Sequence, residues 1–409
     1  MKYVIIGNSA AAIGAVEGIR QVDKKGEITI ISNESHHTYS RPLISYLLLG
    51  KTDEQRMKYR PDDFYEKNNC KTLFSKTVTN IDSKKKTVTL DDNTSISYDK
   101  LLVSTGSSPF VPPMDGLDSV KNKFSFMTLD EAKALDSALT SDSKVLIVGA
   151  GLIGLKCAEG IHAKVANITV IDLAPNILSS ILDTQGSAIV QKHLESKGVV
   201  FKLGDSVQKF TEKTALLKSG GTIDFDVLVL AVGVRPNTQL VKDAGGEVNR
   251  GIVINERMET SIPDIYSAGD CTEGMDISIG QNRILALLPN AYMQGECAGK
   301  NMAGEACVFD KAIPMNAIGF FGLHIITAGT YDGEVYEDLH DGYKKLFYKD
   351  DLLKGYILIE NIKKAGIYTS LIREKTPLST IDFTLICENP GLMAFGREVR
   401  EEKLGGLKR

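Results

Sequence analysis

Paired cysteines, long apolar runs and an excess of charge of either sign are all missing from this 409-residue chain. Its six cysteines, Cys70, Cys157, Cys271, Cys297, Cys307 and Cys387, show no CxxC or CxxxxC spacing. Scattered thiols in a large chain argue against a disulfide framework and fit a reducing cytoplasmic setting. No run of about 18 uncharged apolar residues occurs, so no transmembrane helix is expected. The opening "MKYVIIGNSAAAIGAVEG" carries Glu17 early and has no basic n-region, so it does not read as a signal peptide. With 48 basic and 52 acidic residues the net charge is −4, which gives no nucleic-acid footprint and no attraction to anionic membranes. His36 and His37 are adjacent, but no second ligand cluster lies at metal-binding spacing, so no metal is expected.

The length suggests two or three domains at roughly 150 residues each. Residues 2–7, "KYVIIG", form a β-branched apolar run ending in glycine, the pattern of a buried parallel strand. An alanine-rich, helix-like stretch follows. The turn between them, Gly7-Asn8-Ser9-Ala10-Ala11-Ala12, departs from the GxGxxG/A dinucleotide fingerprint only in placing Ser9 at the second glycine. Serine is small enough to let a pyrophosphate approach the free N–H groups of a helix start. A second strand, "EITIIS", leads to Asn33-Glu34, where an acidic group could hold a ribose hydroxyl.

A second and complete copy lies at 143–161. There Gly149, Gly151 and Gly154 stand between a strand and a helix that runs through Leu152 and Ile153. Asp172 ends the next strand, 23 residues after Gly149, where an acidic residue bonds the ribose 2′-hydroxyl. A carboxylate there repels a 2′-phosphate, and the following Leu173, Ala174 and Pro175 bring no arginine, so NADH is expected over NADPH. "YDKLLVSTGSSP" (98–109, with Thr105 and Gly106) and "FDVLVLAVGVRPN" (225–237, with Gly233) each follow one fingerprint. The chain thus reads as an α/β protein with two Rossmann-like dinucleotide-binding units, the result of an internal duplication.

"TSIPDIYSAGDCTE" (260–273) resembles the second FAD fingerprint of two-dinucleotide-binding flavoproteins, in which Asp270 matches the aspartate delivered to the ribityl chain. With "STG" at 104–106, "GAGLIG" at 149–154 and "LLPNAYMQGECAGKNMAG" at 287–304, the pattern covers most of residues 1–310. It is similar to the pyridine-nucleotide flavin oxidoreductases related to glutathione reductase. The resemblance implies FAD and NADH as cofactors. It also implies an FAD domain (1–113 and 246–314) split by an NAD domain (114–245), and a C-terminal α+β domain (315–409) that packs on the others or builds a homodimer. It places Val78 and Leu288 among the cofactor-contacting positions. After residue 314 the pattern reads as alternating strands with one helix.

Cysteine-based members of this family carry the reactive thiol in the helix after the second strand. The matching stretch here, "TYSRPLISYLLLG", has none. It resembles the "Y-S-[KR]-P-x-L-S" segment of NADH:rubredoxin oxidoreductases, ferredoxin reductases and the FAD half of NADH-dependent nitrite reductases. Those enzymes pass electrons to a rubredoxin, a ferredoxin or a partner reductase subunit. Arg41 matches the basic residue near the flavin in that segment, and Pro42 sets the start of a helix over 43–49. Ferredoxin reductases often pair a lysine with a glutamate where this chain has Tyr46 and Lys156. A lysine early in a helix is disfavoured by the dipole, so Lys156 and Tyr46 are expected to act at the flavin, with a solvent-facing Lys156 as the alternative. Glu159 is expected in helix packing or a surface pair. Two rival functions remain at this point: a peroxide-forming NADH oxidase, and a flavoprotein subunit or NADH-sensing interaction protein.

Overall fold

A computed structural model of the chain describes residues 1–404. It divides into two compact units. The first comprises residues 1–180, 191–275 and 282–310; the second comprises 181–190, 276–281 and the residues from Lys311 on.

The first unit holds two five-stranded sheets of the same design. One runs Cys70–Leu73, Glu27–Ile31, Lys2–Ile6, Lys100–Val103, Ile265–Ser267 in spatial order; the other runs Val199–Leu203, Asn167–Asp172, Lys144–Val148, Val227–Leu230, Lys123–Phe124. Every neighbouring pair in both sheets is parallel. The central strands read as continuous apolar runs because both faces are covered: Val4, Ile5, Val145 and Ile147 are all buried. A three-stranded antiparallel meander stands between Cys70–Leu73 and Lys100–Val103 in one copy and between Val199–Leu203 and Val227–Leu230 in the other, at 78–97 and at 207–224. The duplication read in the sequence therefore extends to topology.

The copies agree in atomic detail. Gly7 (φ 118°) and Gly149 (φ 114°) each turn the chain out of the first strand in a conformation that favours glycine. Each donates its N–H to the end of the second strand, Gly7 to the Ile31 carbonyl and Gly149 to the Ile171 carbonyl, both at 2.8 Å. A side chain at Gly7 would meet the Ser104 carbonyl oxygen, and one at Gly149 the Ala231 carbonyl oxygen, each at 2.3 Å. The helices that follow are Ala10–Val22 and Leu152–Ile161.

Helix Ala10–Val22 packs along Leu288–Met302 with almost no side chain between the backbones. A Cβ on Gly14 would lie 2.3 Å from the Tyr292 carbonyl oxygen, and one on Gly295 2.0 Å from that of Ala11. Glycine on both helices is what permits so close a crossing. The Glu17 carboxylate lies beside it, accepting two bonds from Arg60 at 2.6 and 3.0 Å and one from the Tyr292 hydroxyl at 2.6 Å.

In the second unit, strands 315–320, 323–329, 352–359, 343–349 and 334–338 form an antiparallel sheet in that spatial order. Asp183 belongs to this unit and accepts from the Tyr343 hydroxyl at 2.7 Å and from Lys345 Nζ at 2.9 Å. The sequence pattern predicts one helix after residue 314. The structure has α-helices at Ala365–Arg373, Phe383–Glu388 and Arg397–Leu404 among the described residues. The last two are short, and the final one is almost wholly charged, so neither shows the long apolar periodicity by which a helix is recognised.

Candidate functional site

The first fingerprint helix begins at Ser9, whose side chain makes no capping bond. Its first-turn N–H groups therefore have no intrahelical or side-chain partner among the described residues. Ala10 and Ala11 are buried beneath them. The Asp270 loop lies against this turn: a Cβ on Gly269 would sit 3.2 Å from that of Ala11 and 3.6 Å from that of Ala291. Leu288 opens the neighbouring helix, packed against the same core. Gln294 fixes the loop by accepting the Gly269 N–H at 2.9 Å. Burial raises the Asp270 carboxyl above its usual range, and the positive charge of Arg41 opposes that rise.

Arg41 reaches this place from the "YSRPL" stretch. Its guanidinium pairs with Glu34, donates to the Met127 carbonyl at 3.1 Å, and lies 5.5 Å from the centroid of the Tyr39 ring. Tyr39 in turn donates to Glu34 at 2.6 Å and accepts the Leu129 N–H at 3.0 Å. Burial works against the arginine's charge, yet Tyr39, Glu34 and Asp270 together hold its pKa above the ordinary value. Both Glu34 oxygens are thus engaged within the chain, so Glu34 anchors Arg41 in addition to any role toward a ribose. Asn33 is exposed. Arg41, Pro42 and Leu43 form one 3₁₀ turn leading into a helix at Ile44–Leu48.

Asn8, which occupies the variable position of the fingerprint, accepts from the Tyr65 hydroxyl at 2.7 Å and donates to the His36 carbonyl at 3.2 Å. His36 contacts Asp130 at 2.7 Å, and the His37 ring lies 4.7 Å from that of Tyr65. The adjacent histidines thus serve separate local contacts. Val78 is a core residue whose side chain packs with Ile6 and Ile31, so any cofactor contact there falls to its backbone.

In the second fingerprint, Gly151 is the helix N-cap, and a Cβ built on it would have no heavy atom within 4 Å. That open cradle, over a helix start led by Leu152 and Ile153, suits a phosphate. Asp172 accepts the N–H of Ala150 at 2.6 Å and of Ala174 at 2.8 Å. A carboxylate has about four acceptor sites, so capacity remains for a ribose hydroxyl. Leu173 beside it is 70% exposed. The segments after Lys100–Val103 and Val227–Leu230, at Ser107–Pro109 and Val234–Pro236, pair antiparallel with each other. Asn237 locks them: its Nδ2 donates to the Thr105 carbonyl at 2.9 Å, its N–H to the Gly106 carbonyl at 2.9 Å, and its carbonyl accepts the Thr105 hydroxyl at 2.7 Å. Gly233 accepts the Phe110 N–H at 2.9 Å.

Lys156 does not face solvent. Its Nζ lies 4.5 Å from the Tyr46 ring centroid and pairs with Glu159. Glu159 is 3% exposed, so it belongs to a buried ion pair and not to a surface pair. The two helices meet closely at Gly160, where a Cβ would lie 3.1 Å from the Ser45 carbonyl oxygen. Sequence reasoning missed Asn8, Tyr39, Tyr65 and Asn237 as organisers of the site. For Asn8, Tyr39 and Asn237 the only signal is their presence within the quoted motifs; Tyr65 has none.

Cys157 and Cys271 are buried, and burial raises both; Cys70 is pushed up to about 11 by burial. Among the described residues, no cluster of three or more potential metal ligands occurs, and no helix is long and apolar enough to cross a membrane.

Comparisons with known proteins place the chain in a family. Residues 1–295 match the model of the family described as pyridine nucleotide-disulphide oxidoreductase. The chain is 30% identical over 98% of its length, and 97% of the relative's, to the NADH-dependent phenylglyoxylate dehydrogenase subunit epsilon of Aromatoleum evansii. It is 31% identical to the NADH-rubredoxin oxidoreductase of Clostridium acetobutylicum, covering 80% of this chain and 81% of that one. Other curated relatives are longer, and the chain spans about half of their length. A putidaredoxin reductase–putidaredoxin complex shares the fold at a TM-score of 0.87 with 23% identity, covering 95% of this chain and 96% of that one. Duplicated nucleotide folds, a carboxylate at the first fingerprint and a family model spanning both give one conclusion: the chain is an oxidoreductase of the pyridine nucleotide-disulphide oxidoreductase family.

Proposed function

We propose that the protein is an FAD-dependent NADH oxidoreductase whose acceptor is a small iron–sulfur or rubredoxin-type carrier, reached without a redox-active cysteine. FAD, when bound, supplies the chemistry: it accepts a hydride and releases the electrons singly. The observation that carries this reading is the Asp270 carboxylate, which makes no hydrogen bond of its own among the described residues and sits beside the open first turn of helix Ala10–Val22.

On this reading Gly7, Ser9, Ala10 and Ala11 offer backbone to the FAD pyrophosphate, and Asp270 accepts from the ribityl hydroxyls. Thr105, Gly106, Val78 and Leu288 border the same cofactor. Arg41, steadied by Glu34 and the Met127 carbonyl, supplies a fixed positive charge. Gly149, Gly151, Leu152, Ile153 and Gly233 line the NADH side, where Asp172 selects an unphosphorylated ribose. The division into an FAD domain (1–113, 246–314) and an NAD domain (114–245) follows the two sheets. Tyr46 and Lys156 act at the flavin, through its charge or the docking of the nicotinamide. The names of the relatives support NADH as donor, with a rubredoxin in one case and a multisubunit dehydrogenase in another.

The test is anaerobic stopped-flow reduction by NADH, followed by mixing with rubredoxin, ferredoxin or a companion subunit. Rapid reoxidation by one of these supports the reading. Reoxidation only by oxygen, with stoichiometric peroxide, overturns it in favour of an oxidase.

A further inference from the structure

Cys297 lies in helix Leu288–Met302, and Cys307 lies in the loop that follows it. Asn301, one turn beyond Cys297 and 5% exposed, clamps the backbone of Cys307 from both sides. Its Nδ2 donates to the Cys307 carbonyl at 2.7 Å, and its Oδ1 accepts the Cys307 N–H at 3.1 Å. The same Nδ2 lies 3.5 Å from Cys297 Sγ. That sulfur sits 3.3 Å from the Cys307 carbonyl oxygen. The clamp therefore holds the Cys297 sulfur against the backbone of Cys307, ten positions on, with both thiols free. The loop is tied down again at Phe309, whose N–H donates to the Glu256 carbonyl at 2.9 Å.

The two thiols differ in access. Cys297 is 3% exposed, and burial followed by the neighbouring Cys307 pushes its pKa up to about 12. Cys307 is half-buried at the foot of the exposed stretch Gly304–Ala306. Lys300, on the same helix, brings positive charge within electrostatic range of both sulfurs. A half-exposed thiol within electrostatic range of Lys300, with a second, buried thiol held against its own backbone, is the layout of an attacking and a resolving cysteine.

We propose that Cys297 and Cys307 form a reversible disulfide, with hydrogen peroxide as the oxidant. The Cys307 thiolate attacks one peroxide oxygen, the O–O bond breaks, and water leaves with a proton taken from solvent. Cys307 is left as a sulfenic acid. The Cys297 sulfur then displaces hydroxide from that sulfenic sulfur, forming the S–S bond and releasing a second water. Two thiols lose two electrons and two protons; one peroxide becomes two waters. This disulfide ties the loop to the helix that carries Leu288 and packs on the first fingerprint helix. The site does not depend on the acceptor proposed above.

Trypsin cuts between the two cysteines at Lys300, so the disulfide joins peptide Ile284–Lys300 to Asn301–Lys311. The native holoprotein is treated with peroxide, blocked with an alkylating agent and mapped without reductant. The expected result is this linked pair as the principal oxidised product, lost on adding dithiothreitol. Cys307→Ser should leave Cys297 reduced, whereas Cys297→Ser should leave Cys307 trapped by a sulfenic-acid probe. Over-oxidation of Cys307 without linkage, or linkage only in the urea-unfolded chain, would overturn the proposal. Because Cys307 is half-exposed, its variant keeps the test valid if Cys297→Ser fails to fold.

Discussion

The ammonium of Lys156 stands 4.5 Å from the centroid of the Tyr46 ring while ion-paired to the buried carboxylate of Glu159. The two positions where this chain departs from the ferredoxin reductase pattern therefore touch each other across the contact between helices Ile44–Leu48 and Leu152–Ile161. A cation on an aromatic face is favourable when desolvated, and the Glu159 carboxylate lies one turn along the same helix.

Lys156→Met should lower stability by roughly 3 kcal/mol, because it leaves Glu159 buried without its cation. Adding Glu159→Gln should recover most of that loss. The midpoint and slope of urea unfolding decide this. If the pair also orients the nicotinamide, the double variant, restored in stability, will still be reduced more slowly by NADH in single-turnover measurements. An unchanged rate would confine the pair to packing.

Asp270→Ala should leave the fold intact by circular dichroism but lower the flavin-to-protein ratio after purification. The carboxylate is raised by burial and opposed by Arg41, so removing it relieves the chain and penalises only a ligand that needs an acceptor. Retention of full flavin content would sink the role assigned to Asp270.

Asp172→Ala combined with Leu173→Arg should move the preference toward NADPH by about tenfold or more in kcat/KM, equivalent to about 1.4 kcal/mol. Leu173 is 70% exposed, so an arginine can be placed there without repacking. Asp172→Ala alone should weaken both cofactors, since it also frees the Ala150 and Ala174 N–H groups.

Burial raises the pKa of Glu17, but hydrogen bonds from Arg60 and Tyr292 outweigh it and hold the carboxyl below its usual range. A depressed carboxylate contributes stability that is complete above its unfolded pKa of about 4.3 and is lost as pH falls toward the folded value. Acid unfolding curves should therefore fall more steeply below about pH 4.3 in the parent than in Glu17→Gln. At neutral pH that variant should be weaker by about 1–2 kcal/mol. Parallel curves would remove Glu17 from the acid response.

Gly295→Ala puts a methyl group 2.0 Å from the Ala11 carbonyl oxygen. Backbone has no rotamer by which to yield, so a loss of about 1–3 kcal/mol is expected. Flavin content should drop with it, because the displaced helix carries the first fingerprint. Thermal unfolding with and without added FAD would measure both effects.

Much of the first unit is legible in short stretches of sequence. A buried parallel strand is a local apolar run, and a fingerprint turn is a local demand for glycine. Gly7, Gly149, Gly151 and Asp172 therefore stand out as residue types at short spacing. The C-terminal unit is less legible. Its sheet strands alternate recognisably, but the helices at 383–388 and 397–404 are too short or too charged for a periodic signal.

The sequence by itself determined the duplicated strand–turn–helix pattern and the lack of a thiol in "YSRPLISY", since both rest on chemistry within a few residues. Only the tertiary structure decided that Glu34 clamps Arg41, that Asn237 locks the two crossing segments together, that Lys156 rests on Tyr46, and that Cys297 meets Cys307. Those contacts join residues from 7 to 132 positions apart. Their geometry depends on the path of the backbone between them, which no local pattern encodes.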